Sequence, residues 1–149
     1  MEVVKAMPYA PDDLCRLVGD VRAYPKFIPW LKHIRVLREK PHEEGGWEGA
    51  AEAVVGWKAI TEAFSTNVRC EPAKGEVDVG LLNGPFRSLI NRWRFAKDEQ
   101  NGGSIVRFYI AAEFKNPILQ AVLRANKDLA AKRIMAAFET EAARRFAGA

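Results

Sequence analysis

The sequence predicts an α+β fold, in which a curved antiparallel sheet is followed by one long terminal helix. Between residues 31 and 114, apolar and polar residues alternate with a period of two, which is typical of strands with one buried face. Turn-forming residues interrupt the alternation at residues 41–46 and 101–103. From Pro117 onward the period becomes helical, and no further proline or glycine occurs until Gly148. Several strands followed by a single long helix indicate the α+β class.

The first elements of the chain are predicted to be a short strand and a short helix. Residues 3–7 form the strand, and Pro11 suits the first turn of a helix because it has no N–H to leave unpaired. Asp12 and Asp13 complement the positive end of the helix dipole. This helix collects its apolar residues on one face: Leu14, Cys15, Leu17, Val18 and Val21.

The next segment combines aromatic residues with two prolines. Pro25 and Pro29 each fix their own φ at about −65° and favour extended geometry in the preceding residue. We therefore expect Tyr24, Phe27 and Trp30 to lie on a stiff, non-helical path. Such a path suits the wall of a cavity or the roof of a core better than it suits a flexible linker.

Six further strands and the terminal helix follow. The strands are predicted at residues 31–36, 47–57, 60–71, 77–81, 89–95 and 106–114. The helix has a core stripe at helical spacing, formed by Leu119, Leu123, Ala130, Ile134, Ala137 and Phe138. Its solvent side carries Arg124, Asp128, Lys132 and Glu139.

A second apolar row on the terminal helix has more than one interpretation. The row consists of Ile118, Val122, Ala125 and Leu129, so the first half of the helix is apolar over more than the usual arc. The row either packs under the loops around residues 24–30 and 84–86, or it forms a movable gate or a contact for a membrane or a partner protein.

The composition fits one globular domain that covers residues 1–149. Hydrophobic residues make up 48% and charged residues 28%, and no apolar run approaches the ~20 residues of a membrane span. The N-terminus lacks the pattern of a secretory or transit signal, so we expect a cytoplasmic protein. A net charge of +4 helps binding to RNA or anionic lipid without requiring either. Cys15 and Cys70 lie on apolar faces, where buried inert thiols are expected.

We find no catalytic or metal-binding motif, so we expect neither enzymatic activity nor a required cofactor. His33 and His42 have no neighbours that would complete a metal site, and a phosphate-binding loop or nucleophile elbow is also missing. Glu62 is a polar anomaly, because the alternation places it on the apolar face together with Thr66 and Asn91. Since an unpaired buried carboxylate is costly, Glu62 is either partnered at the rim of the sheet or orients the head group of a ligand in a pocket.

Three motifs together resemble one known family. They are V-x-D-V-x-x-Y-P-x-F-x-P-W at residues 18–30, G-P-F-R at residues 84–87 and W-x-F at residues 93–95. The chain resembles the coenzyme-Q-binding START-like proteins, a branch of the polyketide cyclase/START superfamily that also contains the bacterial ribosome-association toxin. The resemblance extends over nearly the whole chain. One departure is Leu31, which stands where the family often has a cysteine.

The resemblance implies a helix-grip fold, in which the sheet wraps around the terminal helix and leaves an apolar cavity between them. It implies that the cavity binds ubiquinone or a related polyisoprenoid and thereby supports respiratory electron transport. Such a protein would be cytoplasmic or peripheral at the inner membrane, in transient contact with the membrane surface or respiratory components. On pattern alone the inward aromatic residues are ordinary core. The residues that the resemblance places around the cavity are Tyr24, Phe27, Trp30, Glu62, Phe64, Thr66, Phe86, Asn91, Trp93, Phe95, Phe108, Leu119, Leu123 and Ile134.

The toxin branch implies an alternative function, binding to the large ribosomal subunit and a block of subunit joining. Its candidate surface is the outer face of the sheet, which carries Arg69, Arg92, Arg94 and Arg107, with Lys58 nearby. These arginines either form cross-strand ion pairs or cluster into a face that binds rRNA phosphates. The outer face lacks aromatic platforms for single-stranded RNA, and no DNA partner is expected. The predicted ion-pair partners are Glu52, Glu71, Asp78 and Glu113.

Overall fold

Strands of one antiparallel sheet alternate with tight turns, and a helix of 30 residues follows the last strand. The computed structural model describes residues 1–57 and 60–146. The strands are β1 (Glu2–Met7), β2 (Leu31–Pro41), β3 (Trp47–Trp57), β4 (Ile60–Glu71), β5 (Glu76–Asn83), β6 (Phe86–Lys97) and β7 (Ser104–Phe114). The α-helices are α1 (Pro11–Gly19) and α2 (Pro117–Phe146), and short 3₁₀ helices lie at Val21–Lys26, Glu43–Gly45 and Pro72–Lys74. This arrangement confirms the predicted α+β class, with short helices after the first strand.

The sheet has the strand order β1-β7-β6-β5-β4-β3-β2, and every neighbouring pair is antiparallel. Strands β2 to β7 therefore form a continuous meander. β1 pairs with β7 at the far side, so β1 and β2 are the two edges. Alternate residues of each strand share a face, and we call the face that packs against the helices the inner face.

The strand pairing defines two ends of the sheet, which we call the open end and the closed end. The open end holds the start of β2, the end of β3, the start of β4, the β5–β6 hairpin and the junction of β7 with α2, where Phe86 pairs with Phe114. The closed end holds the other turns together with α1, and there Trp47 pairs with Cys70. Helix α2 starts at the open end and finishes at the closed end, where the ring of Phe146 lies 5.4 Å from that of Tyr9.

Helix α1 is fixed tightly to the closed end. The indole N–H of Trp47 donates a hydrogen bond to the carbonyl of Gly19 at 3.1 Å. A side chain at Gly19 would collide with the sulfur of Cys70, so the helix approaches β4 closely at this glycine. Cys15 and Cys70 are both free and buried between the two elements, as predicted.

The core face of α2 differs from the predicted stripe. The helix buries Ala131, Met135, Phe138 and Ala142, which follow one another at helical spacing. The prediction was right at Phe138, whereas Ala130, Ile134 and Ala137 are only half-buried beside this face. Alanine and long apolar residues occupy both rows, so the hydrophobic periodicity alone does not distinguish the two.

The proline-aromatic segment also differs in part from the prediction. Val21–Lys26 forms a 3₁₀ helix with Pro25 inside it, where a non-helical path was expected. The φ of proline lies within the range of a 3₁₀ helix, and a turn this short requires few backbone N–H groups. The hydroxyl of Tyr24 donates to the carbonyl of Val18, so the segment is bound to the end of α1.

Candidate ligand cleft

At the closed end, aromatic side chains fill the space between the sheet and α2. Trp93 and Phe108 are only 2% and 1% exposed, and their ring centroids lie 4.6 Å apart. The ring of Phe138 on α2 covers them at 4.9 Å from that of Trp93, and Phe95 stacks beside Trp93. Trp93, Phe95 and Phe108, three residues predicted to line the cavity, therefore belong to a packed core.

At the open end, the inner face of the same sheet stays half-exposed. The half-buried apolar residues on β3, β4, β5 and β7 are Val55, Phe64, Leu81 and Ile110. The first half of α2 lies at this end, and its Leu119 and Leu123 are also half-buried. Within the described residues, the hydrophobic core takes its α2 members from Ala131 onward. The inner face at the open end is therefore incompletely covered by residues 117–130, and we call the space between the two the cleft.

A row of three aromatic rings forms the floor of this cleft. The ring of Phe86 makes an edge contact with that of Phe64 at 5.2 Å and stacks on that of Phe114 at 4.5 Å. The turn at Gly84 has a φ of 149°, and an added Cβ there would lie 2.5 Å from the Cβ of Phe64. The glycine of the G-P-F-R motif thus allows the β5–β6 hairpin to press against β4.

The three polar residues predicted on the inner face have different surroundings. Thr66 is buried, and Glu62 is half-buried at the open end. Asn91 is fully engaged within the protein, since its amide donates to the carbonyl of Tyr109 at 3.0 Å and accepts from the indole N–H of Trp93 at 3.1 Å. Glu62 forms no ion pair with any residue in the ranges 1–57 and 60–146. Of these three residues, Asn91 is therefore the one whose side chain is held by hydrogen bonds within the described residues.

The proline-aromatic segment forms a roof over the core and reaches the open end at its last residue. The rings of Tyr24 and Phe27 each lie 5.2 Å from that of Phe138. Burial raises the pKa of Tyr24. Trp30 is half-buried, and its carbonyl accepts the N–H of Gly56 on β3 at 2.7 Å. Tyr24 and Phe27 thus belong to the roof of the closed core, and Trp30 is placed beside the cleft. The half-buried Ile134 of α2 also packs against this core.

The second apolar row of α2 is not covered by the neighbouring loops. Ile118 is 75% exposed and Leu129 is 46% exposed. Ala125 is also exposed, and Val122 is half-buried. The interpretation in which this row packs under the loops is therefore wrong for Ile118, Ala125 and Leu129, whose side chains are exposed to solvent.

The outer face of the sheet carries an ion-pair network. Arg69 pairs with Glu71 at 2.9 Å, with Glu76 at 3.4 Å and with Asp78. Arg94 pairs with Asp78 at 2.9 Å and with Glu76 at 3.6 Å. Lys74 and Arg69 hold the pKa of Glu71 below its usual value. The cross-strand interpretation is thus confirmed for Arg69 and Arg94.

The remaining outer-face predictions differ in their partners. Arg107 pairs with Glu2 at 3.6 Å, and Glu52 pairs with Arg35 at 3.3 Å. Arg92 forms no ion pair within the described part of the chain. The predicted neighbour Lys58 lies outside the described residues. The predicted partner Glu113 is exposed on β7.

A polar groove of about 700 Å³ runs over this network. Sequence reasoning missed two of its basic residues, Arg38 and Lys40 on β2, which line the same groove as Arg92 and Arg94 of β6. Both residues lie beyond the strand predicted at residues 31–36, since β2 continues to Pro41, and their place on the outer face also depends on the strand order. The groove also contains the acidic residues Glu48 and Asp78.

Comparison with known proteins decides the family. A family profile described as "Polyketide cyclase / dehydrase and lipid transport" matches residues 7–139. The chain belongs to this family. The START-like resemblance inferred from the three motifs and the helix-grip architecture are therefore confirmed.

Several relatives cover most of the chain. The solution structure of the 18 kDa protein CC1736 from Caulobacter crescentus is 41% identical, has a TM-score of 0.79, and is matched over 100% of this chain and 98% of that protein. The ribosome association toxin RatA of Rickettsia prowazekii is 27% identical over 93% of this chain and 92% of the toxin. The mitochondrial coenzyme Q-binding protein COQ10 of Drosophila melanogaster is 31% identical over 92% of this chain and 55% of that protein.

More distant neighbours share the fold alone. The Zhui aromatase/cyclase from Streptomyces has a TM-score of 0.76 at 14% identity, so the architecture also occurs in an enzyme. Within the described residues of this chain, no cluster of His, Cys, Asp or Glu is arranged to hold a metal ion. No helix in the same residues is long and apolar enough to cross a membrane.

Proposed function

We propose that this protein binds ubiquinone or a related polyisoprenoid in the cleft at the open end of the sheet, without catalysing a reaction on it. The observation that carries the proposal is the contrast along the inner face, which is closed by aromatic residues around Trp93 but stays half-exposed around Phe64. Apolar surface that the protein itself leaves uncovered is available to an apolar ligand. The relative that is called a coenzyme Q-binding protein supports the choice of ligand class.

The chemistry of the cleft suits a flat ring attached to a long apolar tail. Burying an isoprenoid tail removes on the order of several hundred Å² from water, at about 25 cal/mol per Å². The ordering of the tail reduces this gain, so the affinity depends on a cleft that is already formed. The half-buried ring of Phe64 offers a surface for stacking, while Phe86 supports it from the core, and the hydroxyl of Thr66 and the carboxyl of Glu62 offer polar groups to a quinone head group.

This function requires no covalent step, metal or resident cofactor. The quinone is the bound ligand, and the protein would support respiratory electron transport by keeping it available to the enzymes that use it. A cytoplasmic protein with transient contact to the inner membrane fits this role.

The test is mass spectrometry of the organic extract from protein that has been purified without detergent. We expect near-stoichiometric quinone in the wild type and its loss in Phe64→Arg, because a guanidinium in the cleft disrupts the apolar lining. The matched control is Ile90→Arg, which adds the same group on the outer face of the sheet, at a residue that is already 40% exposed. Retention of quinone in Phe64→Arg, or its absence from the wild type, would contradict the proposal.

A second candidate function is association with the large ribosomal subunit through the outer groove, with a block of subunit joining. The specific observation in its favour is the cluster of Arg38, Lys40 and Arg92 in that groove, and the relative called a ribosome association toxin supports it. Most of the neighbouring arginine charge is neutralised by Glu76 and Asp78, so we rank this function second.

Co-sedimentation with large subunits over a series of salt concentrations tests the second function. Binding through phosphates weakens linearly in the logarithm of the salt concentration. We expect Arg92→Glu to weaken such binding, while Lys97→Glu at the closed end of the same strand leaves it unchanged. Equal binding by both variants, or no binding at low salt, would exclude the outer groove as a surface that binds the large ribosomal subunit.

A further inference from the structure

The described part of the open end carries two exposed aliphatic side chains. Ile118 on the first turn of α2 is 75% exposed, and Leu82 beside the β5–β6 hairpin is 46% exposed. Leu129 extends this apolar surface along the solvent side of the same helix. The other exposed large apolar residues that the structure describes are dispersed over the sheet at Val4, Leu37 and Ile90. Packing in the protein core does not account for the apolar character of Ile118, Leu82 and Leu129, since these side chains are exposed to solvent.

Basic side chains surround this apolar surface and are not neutralised. Each of the basic residues named at the end of this paragraph is exposed, and none of them forms an ion pair with a residue in the described ranges. The acidic residues at the same end are Glu62, Glu113 and Asp128. By contrast, the basic residues of the outer face and the closed end are largely paired. The unpaired basic residues are Lys32, Arg87 and Lys115 at the open end itself, with Arg124 and Lys127 further along the first half of α2.

Backbone contacts hold these residues on one surface. The N–H of Lys115 donates to the carbonyl of Pro85 at 2.9 Å, which joins the β5–β6 hairpin to the start of α2. Lys115 therefore lies beside the hairpin that carries Leu82 and Arg87, and Ile118 follows it by one turn. The loop before β2 is joined to β3 at the same end by the hydrogen bond between Gly56 and Trp30.

We propose that the open end is a docking surface for a lipid bilayer that contains anionic phospholipids. Aliphatic side chains such as Ile118 and Leu82 enter the boundary between head groups and acyl chains, and the surrounding ammonium and guanidinium groups contact lipid phosphates. Long basic side chains place their charge at the head groups while their stems cover apolar surface. An RNA partner would use the charges but would leave the aliphatic side chains in water.

The docking surface rests on the proposed function in one respect, because the lipid-binding cleft opens on this same surface. A water-insoluble ligand would then pass between the bilayer and the cleft without crossing water. The apolar surface and its basic surround are observed independently of what the cleft holds.

Vesicle flotation tests the docking surface with the whole protein. The probes are vesicles of phosphatidylcholine alone and vesicles of phosphatidylcholine mixed with phosphatidylglycerol. We expect binding to the anionic vesicles only, and a loss of about tenfold in Ile118→Asp and in Lys115→Glu. The matched controls are Leu37→Asp and Lys97→Glu, which make the same changes at exposed residues away from the open end. Unchanged thermal unfolding verifies that all four variants are folded.

Three results would overturn the inference. They are equal flotation with both kinds of vesicle, an equal loss in variants and controls, and no flotation of the wild type. A loss of ribosome co-sedimentation in Lys115→Glu with unchanged flotation would assign the basic residues to RNA and would also overturn it.

The quinone content of the same preparations separates this inference from the proposed function. Quinone in the extract together with no flotation leaves the proposed function standing and removes the docking surface. Flotation of a protein whose extract contains no quinone supports the docking surface and contradicts the proposed function.

Discussion

The two halves of α2 have the same secondary structure but different relations to the sheet. Residues 131–146 bury one face against the closed core, with Phe138 in contact with Tyr24, Phe27 and Trp93. Residues 117–130 leave Leu119 and Leu123 half-exposed and present Ile118 to solvent. The second half is therefore placed to stabilise the fold, and the first half leaves apolar side chains uncovered.

The difference shows how one helix can serve both purposes. Contacts at the closed end fix the direction of the helix, so the first half is held over the open end without packing closely on it. An apolar cleft that is not filled by the protein's own side chains can then persist, because the stability of the fold is supplied elsewhere.

The sharpest test of this comparison is the removal of one large side chain from each half. We expect Phe138→Ala to lower the free energy of unfolding by about 3–5 kcal/mol, because it leaves a cavity among the rings of Tyr24, Phe27 and Trp93. Leu119→Ala should lower it by about 1 kcal/mol or less, since its side chain is half-exposed. Urea unfolding of both variants measures the difference. Similar losses in the two variants would show that both halves are equally packed.

The converse test introduces a larger side chain into each half of α2. We expect Leu123→Trp to fill the cleft, to reduce quinone binding by about tenfold and to change stability little. Met135→Trp enlarges a side chain within the closed core and should lower the free energy of unfolding by about 1–3 kcal/mol. Quinone extraction and urea unfolding give the two readouts. Strong destabilisation by Leu123→Trp would mean that no space is available in the cleft.

The pH dependence of stability tests the anchoring half alone. Arg144 and Arg145 hold the buried carboxylate of Glu141, at 2.7 Å and 2.9 Å, and lower its pKa from 4.5 to about 2. A carboxyl group whose pKa is lowered by folding stabilises the protein above its unfolded pKa, and this stabilisation is lost as the pH falls from about 4.5 to about 2. We expect Glu141→Gln to lower the free energy of unfolding at pH 7 by about 1–2 kcal/mol.

The effect of Glu141→Gln should disappear at acidic pH. Urea unfolding from neutral pH down to pH ~3 measures how the gap between variant and wild type narrows. A gap that stays constant over this range would show that the carboxylate charge has no part in anchoring the helix.

The smallest expected effect concerns the outer face. Asp78→Asn weakens the pairs with Arg69 and Arg94, which are about one third exposed, so we expect a loss of less than about 1 kcal/mol that shrinks with added salt. A loss above this value, independent of salt, would mean that the network contributes more to the fold than a surface network does.

Much of the fold could be predicted from the sequence. The period of two predicted the strand at Trp47–Trp57 without error, and Pro117 marked the start of α2. The 3₁₀ helix at Val21–Lys26 was not predicted, because two prolines are compatible with both extended and 3₁₀ geometry. The buried row of α2 was shifted by one position, because alanine-rich rows give a weak hydrophobic contrast. The burial of Glu141 was not predicted, because it depends on ion pairs with Arg144 and Arg145 that the hydrophobic pattern does not reveal.

The candidate site was less accessible to prediction. The alternation placed Phe64 and Trp93 correctly on one face, yet one lies beside the cleft and the other lies in the closed core. Which of them is covered depends on where α2 crosses the sheet, and a strand pattern holds no information about this. The exposure of Ile118 likewise depends on which side of α2 faces the sheet.

Hydrogen–deuterium exchange with and without a short-tailed ubiquinone analogue tests the difference between the two halves of α2 most directly. Without ligand, we expect faster exchange in residues 117–130 than in residues 131–146, because the first half lacks core packing. With ligand, exchange should slow in residues 117–130 and in the β5–β6 hairpin, and stay unchanged in residues 131–146. Equal exchange in both halves, or protection confined to the outer face of the sheet, would contradict the cleft as the binding site.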